Sequence, residues 1–93
     1  MENVISKEKI REYKNLTSKA LSIAKNSIIK TKLKQADEII NMVSNYLSDA
    51  EYFEKKKDFI NAFAAINYAH GWLDSGVRLG IFNVKDNRLF TIK

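Results

Sequence analysis

Apolar residues recur at three- and four-residue steps along three stretches of the chain, which is the spacing of one face of an α-helix. The stretches predict helices over residues 6–25, 32–56 and 58–79. Turn and cap formers interrupt the spacing at residues 26–31, so a short connection is predicted there. The alternative is one continuous helix over residues 6–57, which would need partners along its length to cover its apolar side.

The second and third helices are predicted to form an antiparallel hairpin, because only about two residues separate them. Asp58 follows the run of lysines at this turn and is a predicted N-cap for the third helix. A turn centred near Lys57 places Tyr46 at the level of Tyr68. Gly80 is predicted to end the third helix in the left-handed conformation.

Two glycines lie inside the third predicted helix, Gly71 and Gly76. A glycine within a helix costs roughly 0.5 to 1 kcal/mol relative to alanine. A close backbone contact or the approach of a ligand would offset that cost, so both positions are candidates for one or the other.

The tail after the third helix changes period. Phe82 and Val84, then Phe90 and Ile92, alternate around turn formers at residues 85–87, which predicts a short β-hairpin. Two strands alone are marginal in water, so the apolar side of the hairpin must dock on the helices or on another subunit.

These elements predict a mainly α fold in a single domain, residues 1–93. Its architecture is a three-helix bundle, made of the helical hairpin and the N-terminal helix. A short C-terminal β-hairpin or extended arm follows at residues 81–93.

The composition is that of an ordinary globular protein, with 45% hydrophobic and 29% charged residues. The chain has no cysteine, which excludes disulfides, thiolate metal ligands and cysteine nucleophiles. It has neither a signal-peptide pattern nor an apolar run long enough to span a membrane. We therefore expect a cytoplasmic protein that is not bound to membranes.

The net charge of +5 is unevenly distributed. Residues 1–34 carry +6 and residues 35–93 carry −1. A basic first helix could bind the phosphates of RNA or DNA, although only Tyr13 interleaves its charges and a solvated helix face explains them as well. The candidate nucleic-acid contacts are Lys7, Arg11, Lys14 and Lys25.

Candidate catalytic chemistry is sparse. His70 is the single histidine and belongs to no zinc motif, so it is predicted to be an exposed or half-buried helix residue. Asp49 and Asp74 each interrupt an apolar stretch, but the register of the hairpin places them two to three turns apart, too far for a dyad. We expect no enzymatic activity, no cofactor and no metal.

The most concentrated aromatic group is Tyr46, Tyr68 and Trp72, and the register places Tyr46 and Tyr68 at one level of the hairpin. Tyrosine and tryptophan combine a large contact area with a polar tip, so these rings could line a pocket or an interaction surface. Packed core is the alternative. The candidate interaction or pocket residues are Tyr46, Asp49, Tyr68, Trp72 and Asp74.

The chain resembles a known family in this region. The motifs that carry the resemblance are YxxDAxxF at residues 46–53, KDxxxA at residues 57–62 and NYAxGWLDxGVRLGxF at residues 67–82. With RLFT at residues 88–91, they are similar to the small archaeal domain-of-unknown-function family 357 over about residues 36–92. The resemblance implies a compact helical bundle of archaeal origin, and it carries over no activity and no functional residue.

One position departs from the family pattern. Family members often carry glycine where this chain has Lys57, and lysine can serve there if the position need not be left-handed.

The predicted function is a non-catalytic helical module for protein interaction or self-association, whose partner is another protein or a second copy. RNA or DNA binding by the basic first helix is the alternative. A small-molecule or catalytic pocket among the aromatic residues ranks third.

Overall fold

Three α-helices form the structure, a computed structural model that describes residues 5–90. They are α1 (Lys7–Lys25), α2 (Leu33–Lys55) and α3 (Phe59–Arg78), and a short 3-10 turn, Lys30–Lys32, precedes α2. The predicted mainly α fold of three packed helices is confirmed, and every helix end lies within one residue of its predicted position.

The connection between α1 and α2 is the predicted short one, and the continuous helix is wrong. Asn26 closes the last turn of α1, where its backbone amide donates to the carbonyl of Ile23. The hydroxyl of Ser27 also donates to the Ile23 carbonyl, at 2.8 Å. The Asn26 side chain donates from Nδ2 to the Ser22 carbonyl at 3.1 Å. Both side chains thus take the roles of helix-end residues, which is why the period breaks here without proline or glycine.

A Schellman motif joins α2 to α3. The amide of Asp58 donates to the Phe53 carbonyl at 2.8 Å, and the amide of Lys57 donates to the Glu54 carbonyl at 2.9 Å. This geometry requires a left-handed residue, and Lys57 has φ 61°. The condition under which lysine would serve without strain is therefore not met, since the position is left-handed. The Asp58 cap is confirmed, since its carboxylate accepts from the Asn61 amide at 3.2 Å.

Lys57→Gly is expected to raise the free energy of unfolding by about 1 kcal/mol, because a left-handed conformation costs a side-chain-bearing residue about 1–2 kcal/mol and glycine very little. Urea unfolding followed by circular dichroism measures the change. Lys55→Gly is the matched control in the last helical turn of α2, where glycine is expected to lower the stability by up to about 1 kcal/mol. Equal effects of the two substitutions would contradict the assignment.

The third helix ends in a second Schellman motif, as predicted for Gly80. This glycine has φ 76°, and its amide donates to the Val77 carbonyl at 3.1 Å. The amide of Ile81 donates to the Gly76 carbonyl at 2.8 Å. The turn sends the chain back along α3 and brings the Phe82 ring over Gly76.

The predicted β-hairpin is wrong: among residues 5–90 the only β-type pairing is an isolated antiparallel bridge between Ile28 and Phe82. The tail pairs with the α1–α2 connection instead of with itself. The Ile29 amide donates to the Ile81 carbonyl at 3.0 Å, and the Asn83 amide donates to the Ser27 carbonyl at 2.7 Å.

A local turn replaces the second predicted strand. The Asp86 carboxylate accepts from the amides of Arg88, at 2.8 Å, and Leu89, at 3.2 Å. The Arg88 hydrogen bond is the largest cause that lowers the pKa of Asp86 below its ordinary value. The carboxylate therefore stabilises this turn above its unfolded-state pKa, and that contribution is lost as the pH falls through the lowered value. Ile92 lies outside the described residues.

The apolar side of the tail docks on the helices, which is one of the two predicted outcomes. Ile81, Phe82, Val84 and Phe90 are buried and join the core cluster that α1, α2 and α3 form at this end of the bundle. A smaller cluster lies toward the α2–α3 turn. Its buried members are Ile10, Ala50, Ala62, Ala65 and Ile66.

Candidate functional site

The solvent side of α3 carries no charged residue from Phe59 to Leu73 and exposes large apolar side chains beside the polar Asn61, Asn67 and Ser75. No Asp, Glu, Lys or Arg occurs between Asp58 and Asp74. Four large apolar residues of this segment and its end are nevertheless exposed: Ile60 by 71%, Tyr68 by 62%, Trp72 by 39% and Leu79 by 71%. We call this surface the α3 outer face. It comprises Ile60, Ala64, Tyr68, Gly71, Trp72 and Leu79.

The aromatic group lies at the middle of the α3 outer face. The rings of Tyr46 and Tyr68 stack with their centroids 5.5 Å apart and an interplanar angle of 26°. The predicted α2–α3 register thus places these two residues correctly. Tyr68 and Trp72 line a shallow depression of about 310 Å³, together with Gly71 and two polar neighbours.

Gly71 lies exposed in this depression. A Cβ atom built on it would meet no atom within 4 Å outside its own helix backbone and chain neighbours. Among residues 5–90, therefore, no close contact accounts for a glycine at this helical position.

The five predicted interaction or pocket residues do not share one surface, and the structure places them in three different locations. Tyr46, Tyr68 and Trp72 lie together on or beside the α3 outer face. Asp49 is exposed on α2. Asp74 lines a groove on another side of α3, beside His70.

The groove lies between α1, α3 and the tail and has a volume of about 400 Å³. His70 crosses it. Nε2 of His70 donates to the Leu89 carbonyl at 2.6 Å, because a carbonyl oxygen can only accept. In the neutral ring Nδ1 is then the acceptor, and the Thr17 hydroxyl, 3.1 Å away, donates to it. A carboxylate oxygen of Asp74 lies 3.9 Å from Nε2.

His70 is thus a bridge that fastens α1 and the tail to α3. The half-buried helix position was predicted, and the bridge was not, since Thr17 and Leu89 are 53 and 19 residues away in sequence. Both ring nitrogens are engaged, so the ring could act as a general base only after one of these bonds breaks. Over residues 5–90 no cluster of side chains has the composition of a metal site.

His70→Ala is expected to lower the free energy of unfolding by about 1–3 kcal/mol, because the buried Thr17 hydroxyl and the Leu89 carbonyl lose their partner. Urea unfolding of His70→Ala, Thr17→Val and the double variant forms a thermodynamic cycle. The double variant should lose about 1 kcal/mol less than the two single losses together. Strict additivity would show that the bridge does not hold in solution.

The basic face of α1 is partly neutralised. Lys14 forms an ion pair of 2.7 Å with Glu54 of α2, and both side chains are largely buried. Lys7, Arg11 and Lys25 are exposed. On a helix of 3.6 residues per turn, the four predicted nucleic-acid contacts fall within about 60° of one another. The sequence did not reveal the Glu54 partner, which lies 40 residues away.

Comparison with known families identifies the chain. The model of a family described as "Protein of unknown function (DUF357)" matches residues 12–82. The chain belongs to this family. The DUF357 match covers α2, α3, most of α1 and the reversal that brings Phe82 over Gly76. A search of the curated proteins found no match. A search of the solved structures found none either.

The family assignment confirms the resemblance read from the sequence, and the archaeal origin that the resemblance implies stays a prediction. Within the described part of this DUF357 chain, no helix is both long enough and apolar enough to cross a membrane. The cytoplasmic location likewise stays a prediction.

Proposed function

We propose that this DUF357 protein is a non-catalytic helical interaction module, which binds a protein partner or a second copy through the α3 outer face. One observation carries the proposal: α3 is a surface helix that has no charged residue from Phe59 to Leu73, and it and its C-terminal end expose Ile60, Tyr68, Trp72 and Leu79. A surface helix normally places charged and polar residues there. An exposed apolar patch with a polar rim is typical of an interaction site.

α1 and α2 have the normal pattern of surface helices, with charged side chains along their solvent sides, and in this they differ from the α3 outer face. Exposed charged side chains are spread along both. They include Lys7 and Arg11 on α1, and Asp37, Glu38 and Asp49 on α2. The contrast supports a local function for the α3 outer face, because a general lack of polar residues would affect all three helices.

Tyr68 and Trp72 are the expected centre of the interface. Tyrosine and tryptophan are enriched among the residues that carry most of the binding energy at protein interfaces. The stack of Tyr68 on Tyr46 fixes one ring before a partner arrives, so less conformational entropy is lost on binding.

The experiment compares the intact chain with Trp72→Glu, used both as immobilised bait in native extract and in size measurements as a function of concentration. Loss of a specific partner, or of self-association, in Trp72→Glu supports the proposal. Tyr52→Glu is the matched control, because Tyr52 is an aromatic residue on α2 that is exposed by 58%, more than Trp72 at 39%. An intact chain that stays monomeric and retains no protein dependent on Trp72 would contradict it.

A second candidate function is RNA or DNA binding by α1. The observation that favours it is the exposure of Lys7, Arg11 and Lys25 on one side of a helix. Lys14 is expected to contribute less to phosphate binding than its position on α1 suggests, since its charge is already paired with Glu54.

Three available cations predict a shallow salt dependence. With about three phosphate contacts, the logarithm of the binding constant should fall with the logarithm of salt concentration at a slope of about −3. Fluorescence anisotropy with a labelled duplex and a labelled single-stranded RNA measures it between about 50 and 200 mM salt. Neutralising Lys7, Arg11 and Lys25 should abolish binding, and neutralising the α2 residue Lys34 should not. No binding at 50 mM salt would eliminate this function.

A further inference from the structure

Gly71 is the feature of the α3 outer face that the fold does not explain. A glycine inside a helix costs roughly 0.5 to 1 kcal/mol relative to alanine. The other helical glycine, Gly76, has a packing reason, since Phe82 occupies the place of its Cβ atom. Gly71 has open space in the same position and lies exposed between Tyr68 and Trp72. A close approach from outside the chain would account for it.

We propose that the partner of the α3 outer face is a second copy of this chain, packed with its α3 antiparallel to the first about a two-fold axis. The inference rests on the proposed function and names its partner. Centred on the α3 outer face, this arrangement brings Ile60 of one copy to the level of Leu79 of the other, and Tyr68 to the level of Gly71. Each Tyr68 ring then faces Gly71 of the opposite helix, which lets the helices approach closely.

The charges favour the same arrangement. The stretch Phe59–Leu73 of each copy has no charged residue, so its packing brings no like charges together, and antiparallel packing brings the exposed Arg78 of each copy toward the Asp58 end of the other α3. Much of the excess positive charge is on α1, which packs on a different side of α3 through Thr17 and His70. Self-association therefore does not bring the two basic helices together.

The size of the surface sets the expected affinity. A helix of 20 residues is about 30 Å long, and its neighbour α2 lies about 8–10 Å to one side. The two helices present roughly 600 Å² per copy, near the lower limit for a specific interface. We therefore expect a dimer that dissociates at micromolar concentrations.

Sedimentation velocity between about 1 and 500 µM tests the association. The intact chain should shift from monomer to dimer, and Gly71→Leu should raise the dissociation constant at least about tenfold, because the added side chain holds the helices apart. Ser48→Leu is the matched control, since it adds a similar side chain at an exposed position of α2. A chain that is monomeric throughout would overturn the proposal. So would a dimer that Gly71→Leu leaves unchanged.

Disulfide cross-linking tests the antiparallel geometry. Because the chain has no native cysteine, only the introduced cysteines can form a disulfide. In the proposed dimer Ala64 of one copy lies at the level of Ser75 of the other. A mixture of Ala64→Cys and Ser75→Cys should form a disulfide-linked dimer under mild oxidation, whereas each variant alone should form at least about fivefold less. Efficient cross-linking of Ala64→Cys with itself would show parallel packing and overturn the proposal.

The dimer and the proposed function can fail separately. A monomeric chain that still retains a specific protein dependent on Trp72 overturns the dimer and keeps the interaction module. A monomeric chain with no such partner overturns both.

Discussion

Gly76→Ala is expected to lower the free energy of unfolding by about 2–3 kcal/mol. The new Cβ atom would lie 2.5 Å from Cε2 and 2.7 Å from Cδ2 of Phe82, and 3.1 Å from Cδ1 of Ile39. Real Cβ atoms do not approach a ring so closely, so the tail or α3 must move. Phe82 is 2% exposed and closely surrounded, which leaves its ring no free direction. The overpacking outweighs the roughly 0.5 to 1 kcal/mol that alanine gains in helix propensity.

Thermal and urea unfolding at about 1 µM protein measure the effect with the proposed dimer dissociated, and the melting temperature should fall by about 8 to 20 °C. Gly71→Ala is the control in the same helix. It should raise the stability by about 0.5 to 1 kcal/mol, because its Cβ atom meets no neighbour. A stabilising Gly76→Ala would show that the tail does not lie over α3 as described.

A second substitution can locate the strain. Phe82→Leu removes ring atoms from the position that the new Cβ atom needs. In the background of Gly76→Ala it should cost at least about 1 kcal/mol less than it does alone, because the two residues are in direct contact. Additive effects would place the strain of Gly76→Ala elsewhere.

The sequence predicted the helices well because each has its own local signals. The spacing of apolar residues defines the stripes, and the caps at Asp58 and Gly80 depend on residues within one turn. The stack of Tyr46 on Tyr68 followed from a short turn and the rise of a helix. These features require no knowledge of distant contacts.

The tail was mispredicted because its conformation depends on a distant segment. Alternating apolar residues suggested paired strands, yet the hydrogen-bonding partners of Ile81 and Asn83 are in the α1–α2 connection, more than 50 residues earlier. Once Gly80 reverses the chain, that connection offers amides and carbonyls at the right distance. The Asp86 carboxylate, meanwhile, holds the amides of Arg88 and Leu89 in a local turn.

The candidate site was predicted only in part, because some of its residues depend on contacts with distant segments. Tyr46, Tyr68 and Trp72 share a surface because they follow from the helix register. Asp74 lies apart from that group, in the groove beside His70 that Thr17 and the tail also line. Exposure of the α3 outer face was not predictable from periodicity, since α3 has no charged residue from Phe59 to Leu73 and a buried helix has the same pattern.

Phe82→Ala is expected to have the largest effect of any change proposed for this chain, a loss of about 3–5 kcal/mol in the free energy of unfolding. Phe82 is the largest of the fully buried side chains. Its removal leaves a cavity between α2, α3 and the tail, beneath Gly76 and Ile39. A domain of this length is stable by about 5–14 kcal/mol, so the variant would lose a large share of its stability.

Two measurements separate global unfolding from release of the tail in Phe82→Ala. Circular dichroism reports the helices, and hydrogen exchange of the Ile29 and Asn83 amides reports the contacts between the tail and the α1–α2 connection. Faster exchange of these amides with intact helices would mean that the tail is released alone. Tyr52→Ala removes an exposed aromatic residue and should change the stability by at most about 0.5 kcal/mol. A loss below about 1 kcal/mol for Phe82→Ala would show that the tail is not part of the core in solution.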